Sequence, residues 1–228
     1  MAVVLLVRHA QASFGAADYD RLSALGHEQS RCLAAALRPR LDRLALAVAG
    51  EMRRHKETAL PCLDGLAAQL EQERGFNEFD PLEVLSRHNP AHANRLRLLA
   101  DMARTLQPHK AFAATFTAAL ERWQGGEHDA EYTETWPAFQ GRCLAALQAV
   151  AQRLTSGQTA LVFTSGGPIG AIAQALLGLS NAQTLALSAG LVNGGVTKII
   201  SGGGGMRLCT LNEHSHFEGP QRRLLTYR

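Results

Sequence analysis

The first hydrophobic segment of the chain is a run of five apolar residues, 3–7, and three of the five are valine. A run of this length and composition predicts a strand buried on both faces, which is typical of the central strands of parallel sheets. Similar runs at residues 44–49 and 159–164 predict two more such strands.

Helical stretches follow these strands at short spacing. Apolar positions recur with helical periodicity over residues 23–39 and 54–70, and Ser23 stands where it can cap the first of these helices. A third helix is expected after Ser165, up to about residue 177. Alternation of strands and helices indicates a parallel sheet with crossover helices.

The middle and the end of the chain depart from this alternation. Residues 80–155 show helical periodicity and little strand pattern, with helices expected at 90–106, 111–123 and 137–154. Two apolar runs at 196–200 and 206–211, separated by a serine and four glycines, predict an antiparallel hairpin at the sheet edge. We therefore expect an α/β three-layer sandwich with a mainly parallel sheet and one antiparallel edge. A helical insertion, about residues 80–134, is expected to cover the carboxyl edge of that sheet.

The composition of the chain argues against several classes of binding partner. The formal charge is only +3 in 228 residues and the basic residues are scattered, which argues against nucleic acid. No run approaches the ~18 apolar residues of a membrane span, and no signal peptide is recognised, so we expect a cytoplasmic protein. Four cysteines without a Cys-x-x-Cys pair indicate small buried hydrophobic residues and no metal site.

The candidate chemistry lies where the predicted strands end. These positions carry Arg8-His9, Arg53-Arg54 and Ser165-Gly166-Gly167-Pro168, and the carboxylates Glu78 and Asp80 open the insertion. Ligands of open α/β sheets bind at the carboxyl ends of strands. An imidazole at that edge can attack phosphorus while guanidinium groups hold the phosphoryl oxygens.

These motifs, in this order, resemble those of the histidine phosphatase superfamily, also called phosphoglycerate mutase-like. The family's opening Arg-His-Gly appears as Arg8-His9-Ala10, and its Leu-Thr-x-x-Gly-x-x-Gln as residues 22–29. Its Ser-Pro-Leu-x-Arg-Ala-x-Gln-Thr-Ala appears as residues 50–59, with Arg54 on the phosphate-binding arginine. The likeness extends from residue 3 to about residue 216, so we expect one phosphoglycerate mutase-like domain over residues 1–228.

The resemblance implies a phosphatase that forms a phosphohistidine on His9. The phosphoryl group would be bound by Arg8, Arg54, Ser165 and the amides of Gly166 and Gly167. Glu78 would donate the proton to the leaving group, with Asp80 as the alternative. The expected partner is a small phosphorylated substrate or a phosphate anion. We expect no cofactor, metal, nucleic acid or membrane; the oligomeric state stays open.

Three of the departures from the family pattern bear on phosphate binding and catalysis. Ala12 and Gly15 replace a hydroxyl residue and an asparagine of the phosphate loop, and Ser13 could compensate as a phosphate ligand. Ser165 replaces the second catalytic histidine. Loss of one preorganised donor typically costs ~10²–10³ in rate, so slow turnover is expected.

Two other functions compete with a phosphatase. A weakened family member could bind a phosphorylated ligand or a protein partner, and Ser165 is the best support for that hypothesis. Ser165 could also be the nucleophile of a serine hydrolase, although Phe163 stands where that motif needs glycine. A mutase is disfavoured, because the acid motif and the C-terminal stretch do not look like those of glycolytic mutases.

Overall fold

One mixed sheet forms the centre of the protein. The computed structural model describes residues 1–13, 20–94, 97–98, 100–101 and 107–227. The strands within these ranges are β1 (Ala2–Arg8), β2 (Leu44–Ala49), β3 (Leu70–Gln72), β4 (Thr159–Thr164), β5 (Val196–Gly202) and β6 (Gly205–Glu213). Their order across the sheet is β3-β2-β4-β1-β5-β6.

The strand directions divide the sheet into a parallel part and an antiparallel edge. β4 pairs in parallel with both β1 and β2, and β2 pairs in parallel with β3. β5 runs antiparallel to β1, and β6 antiparallel to β5. The carboxyl ends of β1, β2 and β4 therefore lie side by side, and the predicted sheet type is confirmed.

Helices cover both faces of this sheet. The helices are α1 (Ala24–Leu37), α2 (Arg53–Leu63), α3 (Pro81–His88), α4 (Pro108–Gly125), α5 (Trp136–Gln152), α6 (Gly166–Leu177) and α7 (Asn181–Ala189). Leu5 and Val7 of β1 pack in a cluster with Leu33 of α1. Val4 and Leu6 face the other way, into the cluster formed with α5 and α6. The alternation of side chains along a strand thus produces the predicted three layers.

Some predicted elements end earlier than expected, and some elements of the structure were not predicted. The helix expected at 54–70 stops at Leu63, and Gly65 adopts a left-handed conformation (φ 68°) before the short edge strand β3. Pro90–Ala93 forms a 3₁₀ turn, and residues 95, 96, 99 and 102–106 of the helix expected at 90–106 lie outside the described residues. α3 and α7 were not predicted, since eight or nine residues give little periodic signal.

The segment expected to be an insertion is helical where it is described. α3 packs on α4, and α4 on α7. Trp123 of α4 is buried in an aromatic cluster with Phe79, Trp136 and Phe139. This cluster ties the segment to the main core; the limits of an insertion at about residues 80–134 stay a prediction.

The described ranges contain neither a membrane-spanning helix nor a cluster of metal-binding side chains. None of the described helices has the length and apolar character that crossing a membrane requires, and the location in the cell stays a prediction. Within the same ranges, no three His, Cys, Asp or Glu side chains are grouped so as to hold a metal ion. The expectation of buried thiols is wrong for Cys209, which is exposed on β6.

Candidate functional site

His9 stands at the carboxyl end of β1 and is only 6 % exposed. Its backbone amide donates to the carbonyl of Thr164 (2.8 Å), which joins it to the end of β4. Its Nδ1 lies 2.7 Å from the carbonyl oxygen of Ala10. A carbonyl oxygen only accepts, so Nδ1 carries the proton and Nε2 keeps its lone pair. The ring is therefore in the tautomer that a nucleophile needs at Nε2.

The surroundings keep this imidazole neutral. Burial is the main cause that lowers the pKa of His9 well below its ordinary value. The charge of Arg54 and the neighbouring ring of His55 lower it further, and Arg8 acts in the same direction. A neutral ring beside two guanidinium groups is the form that can attack a phosphoryl group.

Hydrogen bonds to the backbone of His9 and Ala10 hold the loop that carries the His9 imidazole. Asn193 donates from Nδ2 to the carbonyl of His9 (3.2 Å), and the amide of Ala10 donates to the hydroxyl of Thr58 (3.0 Å). Thr226, near the chain's end, donates its hydroxyl to Oδ1 of Asn193 (2.9 Å). The backbone at His9 is thus fixed by three separate segments.

Two arginines flank His9. Arg8 is the last residue of β1, and its guanidinium donates to the carbonyl of Leu191. Arg54 lies in the first turn of α2, which starts where β2 ends, and it is 7 % exposed. Its NH1 donates to Oδ1 of Asp20 (2.6 Å). Asp20 was not predicted from the sequence. Its carboxylate binds the Arg54 guanidinium as an anionic ligand would.

Glu78 and Asp80 have different surroundings. Oε2 of Glu78 accepts a hydrogen bond from the amide of Gly167 at the start of α6 (3.1 Å). Burial raises the pKa of Glu78 against the opposing effects of that amide and of Arg54 and Arg8. Asp80 is exposed and accepts from the amides of Leu82 and Glu83, so it caps α3.

The end of β4 carries Ser165 and the two glycines. Ser165 is fully buried at the N-cap of α6, yet its side chain does not cap the helix. A side chain at Gly166 would lie 3.6 Å from Nε of Arg8, which puts this glycine beside the guanidinium. The Gly167 amide, expected to face an anion, is instead used by Glu78.

Ser13 is placed differently from our expectation. Its hydroxyl donates to the carbonyl of Leu22 (3.0 Å), and its amide to that of Arg21 (2.8 Å). The hydroxyl proton is therefore not directed at a ligand, and phosphate binding by Ser13 stays a prediction without support from this geometry. Gly15 lies outside the described residues.

His55 is a second residue of the site that the sequence did not predict. It is fully buried, and its Nε2 lies 2.7 Å from Oγ of Ser165. Its ring centroid lies 5.7 Å from that of His9. A signal was present, since His55 stands where the related motif has alanine directly after the phosphate-binding arginine.

The histidines after β6 are placed elsewhere. Nδ1 of His214 lies against the carbonyl of Asn212, and the ring of His216 packs on Phe217 at 4.1 Å. Glu213 pairs with Arg40. A serine hydrolase would need an acid and a histidine downstream of Ser165. Glu213, His214 and His216 are engaged with other partners, and the side-chain partner of Ser165 is His55.

Comparisons with known proteins agree with this geometry. The family model described as "Histidine phosphatase superfamily (branch 1)" matches residues 4–105 and 103–214. No curated protein matches the chain.

Several solved structures share the fold over nearly the whole chain. A phosphoserine phosphatase from Entamoeba histolytica, solved with phosphoserine, has a TM-score of 0.67 at 15 % identity, covering 95 % of this chain and 99 % of its own. A mycobacterial glucosyl-3-phosphoglycerate phosphatase gives 0.62 at 20 % identity, covering 92 % and 98 %. A phosphoglycerate mutase from Bacillus anthracis gives 0.64 at 19 % identity, covering 94 % of each chain.

Proposed function

Because this chain belongs to the histidine phosphatase superfamily, we propose that it hydrolyses small phosphomonoesters through a phosphohistidine formed on His9. The observation that carries the proposal is the tautomer of His9. With Nδ1–H donated to Ala10, the Nε2 lone pair is available for attack on phosphorus.

Arg8 and Arg54 would bind the phosphoryl oxygens. A phosphomonoester carries roughly −1.5 to −2 charges at neutral pH, which two guanidinium groups largely balance. Binding at Arg54 requires the substrate to replace the carboxylate of Asp20, whose side chain is partly exposed and can move aside. The amide of Gly166, beside Arg8, is a further donor at the start of α6.

Glu78 would supply the proton that the leaving alkoxide needs. Its raised pKa keeps the carboxyl protonated at higher pH than an ordinary glutamate. After the alcohol departs, the same carboxylate takes a proton from the water that attacks phosphohistidine. His9 is then restored as phosphate leaves.

A groove with a volume of about 1250 Å³ reaches Glu78. Arg74 and Arg142 also line it, whereas His9, Arg8, Arg54 and Ser165 do not. Phosphoserine and 3-phosphoglyceric acid, which related structures hold, are reasonable first substrates.

The test is a phosphatase screen over many small phosphoesters with matched histidine variants. His9→Ala should abolish turnover, because no other group replaces the Nε2 nucleophile. His27→Ala removes an exposed histidine of α1 and should leave turnover at the parental level. Parental turnover in His9→Ala would refute the mechanism. Binding of phosphoesters without turnover by the unaltered protein would instead favour a ligand-binding role.

A further inference from the structure

Ser165 and His55 form a buried pair at the base of the candidate site. Both residues are fully buried, and Oγ of Ser165 lies 2.7 Å from Nε2 of His55. Ser165 leaves the N-terminal amides of α6 without a side-chain cap. Its hydroxyl is thus committed to the imidazole, although a serine at an N-cap usually bonds to the helix.

Gly50 leaves room for this imidazole. A Cβ added at Gly50 would lie 2.3 Å from Nδ1 of His55, which no side chain tolerates. Gly50 follows β2 directly, and its amide donates to the carbonyl of Phe163 in β4 (3.0 Å). The ring is therefore held between two strand ends, with Nδ1 towards Gly50 and Nε2 towards Ser165.

We propose that His55 and Ser165 act as one relay that delivers a hydrogen bond to the phosphoryl oxygens. Nε2–H of His55 donates to Oγ of Ser165, and the hydroxyl of Ser165 is then free to donate to the anion. Ser165 makes the contact, and His55 is a positioning residue that acts through it. This inference rests on the proposed function, since the anion is the phosphoryl group attacked by His9.

The direction of the hydrogen bond follows from the anion. If the hydroxyl donated to His55, Oγ would present only lone pairs to the phosphoryl oxygens, which repel them. With Nε2–H as donor, the hydroxyl proton can turn to the anion. A donor fixed in advance at this point stabilises the transition state more than the bound substrate, because charge builds on the equatorial oxygens.

The imidazole of the relay is neutral. Burial first, and then the charge of Arg54, lower the pKa of His55 to about 3. The ring therefore carries a single N–H near neutral pH, and the relay requires that this proton be on Nε2.

A different role for the same pair would be a serine nucleophile with His55 as its base. That role needs a base that can take the hydroxyl proton near neutral pH. The pKa of His55 lies near 3, so its ring is a poor base at that pH. We therefore favour the relay, and the nucleophile becomes an outcome of the test.

The kinetic test is a double-mutant cycle on phosphoester hydrolysis. His55→Ala and Ser165→Ala should each lower kcat by about five- to tenfold, the effect of one hydrogen bond, with little change in KM. The double variant should be no worse than either single variant, because the two side chains act as one unit. Independent, multiplying losses would overturn the relay. Complete loss in Ser165→Ala, equal to that in His9→Ala, would also overturn it and favour the nucleophile.

Three further variants separate the relay from simple packing. His55→Gln keeps an amide donor near the position of Nε2 and should recover most of the lost kcat. The exchange His55→Ala with Ser165→His moves the imidazole to the end of β4 and should restore kcat to within a few-fold. Ser165→His alone places a second ring in space that His55 already fills, and should lower activity. Failure of both the glutamine and the exchanged variant, with native-like melting, would contradict the proposal.

A measurement without turnover keeps the inference separate from the proposed function. In ¹⁵N-histidine NMR spectra, inorganic phosphate should leave Nε2 of His55 protonated and should shift its resonance. Ser165→Ala should bind phosphate and lose most of that shift. An Nε2 that is unprotonated in the phosphate complex would overturn the relay even in an active enzyme. The predicted shift in a protein that hydrolyses nothing would support the relay while refuting the phosphatase.

Discussion

Glu78 and Asp80 are two residues apart, yet the fold gives them separate tasks. Glu78 contacts the first turn of α6 and has a raised pKa, whereas Asp80 caps α3 at the surface. Phe79 between them is buried against Trp123, with the ring centroids 4.9 Å apart. This contact anchors the backbone between the two carboxylates in the core. The sequence alone left the choice between them open, because their spacing carries no information about which side chain turns inward.

Substitution of Glu78 should therefore depend on the leaving group. Glu78→Gln should slow alkyl phosphoesters by about 10²-fold or more, the usual contribution of a general acid, and nitrophenyl esters far less. Only the alkyl esters need a proton on the departing oxygen. The measurement is kcat for a series of esters of increasing leaving-group pKa.

Asp80→Asn is the matched control for that series. Asparagine is as good an N-cap as aspartate, so neither stability nor the leaving-group dependence should change much. A leaving-group effect confined to Asp80→Asn would mean that Asp80 is the proton donor.

His55 illustrates which parts of the site could be predicted from the sequence and which could not. The positions of Arg8, His9 and Arg54 at neighbouring strand ends follow from strand and motif order alone. The contact between His55 and Ser165 does not, because it joins residues 110 positions apart in the sequence. The sequence indicated that Ser165 replaces a histidine, and the structure adds a buried imidazole, His55, whose Nε2 lies 2.7 Å from Oγ of Ser165.

At the scale of elements, the start of α6 positions Glu78. Gly167 donates its amide to the carboxylate, and a Cβ at this glycine would lie 1.9 Å from Oε1 of Glu78. Only glycine allows the helix N-terminus and the carboxylate to approach this closely. Glu78 is thus positioned by an element nearly 90 residues further along the chain.

Gly167→Ala should reproduce the loss seen in Glu78→Gln with the carboxylate still present. The added methyl group displaces Glu78, so alkyl phosphoesters should slow by about 10²-fold and nitrophenyl esters less. In the matched variant Gly166→Ala, the new Cβ meets its nearest neighbour, Nε of Arg8, at an ordinary 3.6 Å. A loss in Gly166→Ala as large as that in Gly167→Ala would show that the first turn of α6, rather than Glu78, is responsible.

Long secondary-structure elements with a clear hydrophobic pattern were predicted from the sequence, and short ones were not. β2 was expected over residues 44–49 and is found at Leu44–Ala49, and the hairpin of β5 and β6 lies at the sheet edge as expected. β3 was missed because three half-exposed residues show no periodicity. Tertiary pairing with β2, rather than local preference, makes it a strand.

At the scale of the whole molecule, the buried histidines link stability to pH. The pKa of His55 falls to about 3 in the folded protein, from its ordinary value of 6.5. Between these values the unfolded chain binds the extra proton, so the free energy of unfolding rises with pH and falls on acidification. His9 acts in the same direction.

His55→Gln should remove one part of this dependence. Acidification from pH 6.5 to 4.5 should cost the parent about 2 to 3 kcal/mol through His55 alone, since each pH unit per proton is worth 1.36 kcal/mol. The glutamine variant should lose that much less over the same range in urea unfolding experiments. Parallel curves for the two proteins would mean that His55 is not held neutral in the folded state.

The central claim is covalent chemistry at His9, and one measurement tests it most directly. A good phosphoester, mixed briefly with the protein and quenched in base, should leave a phosphoryl group on His9. That group should be stable in base and labile in acid, and it should be absent from His9→Ala. Turnover of the same ester with no phosphoryl group on the chain, or with an acid-stable group on Ser165, would contradict the account.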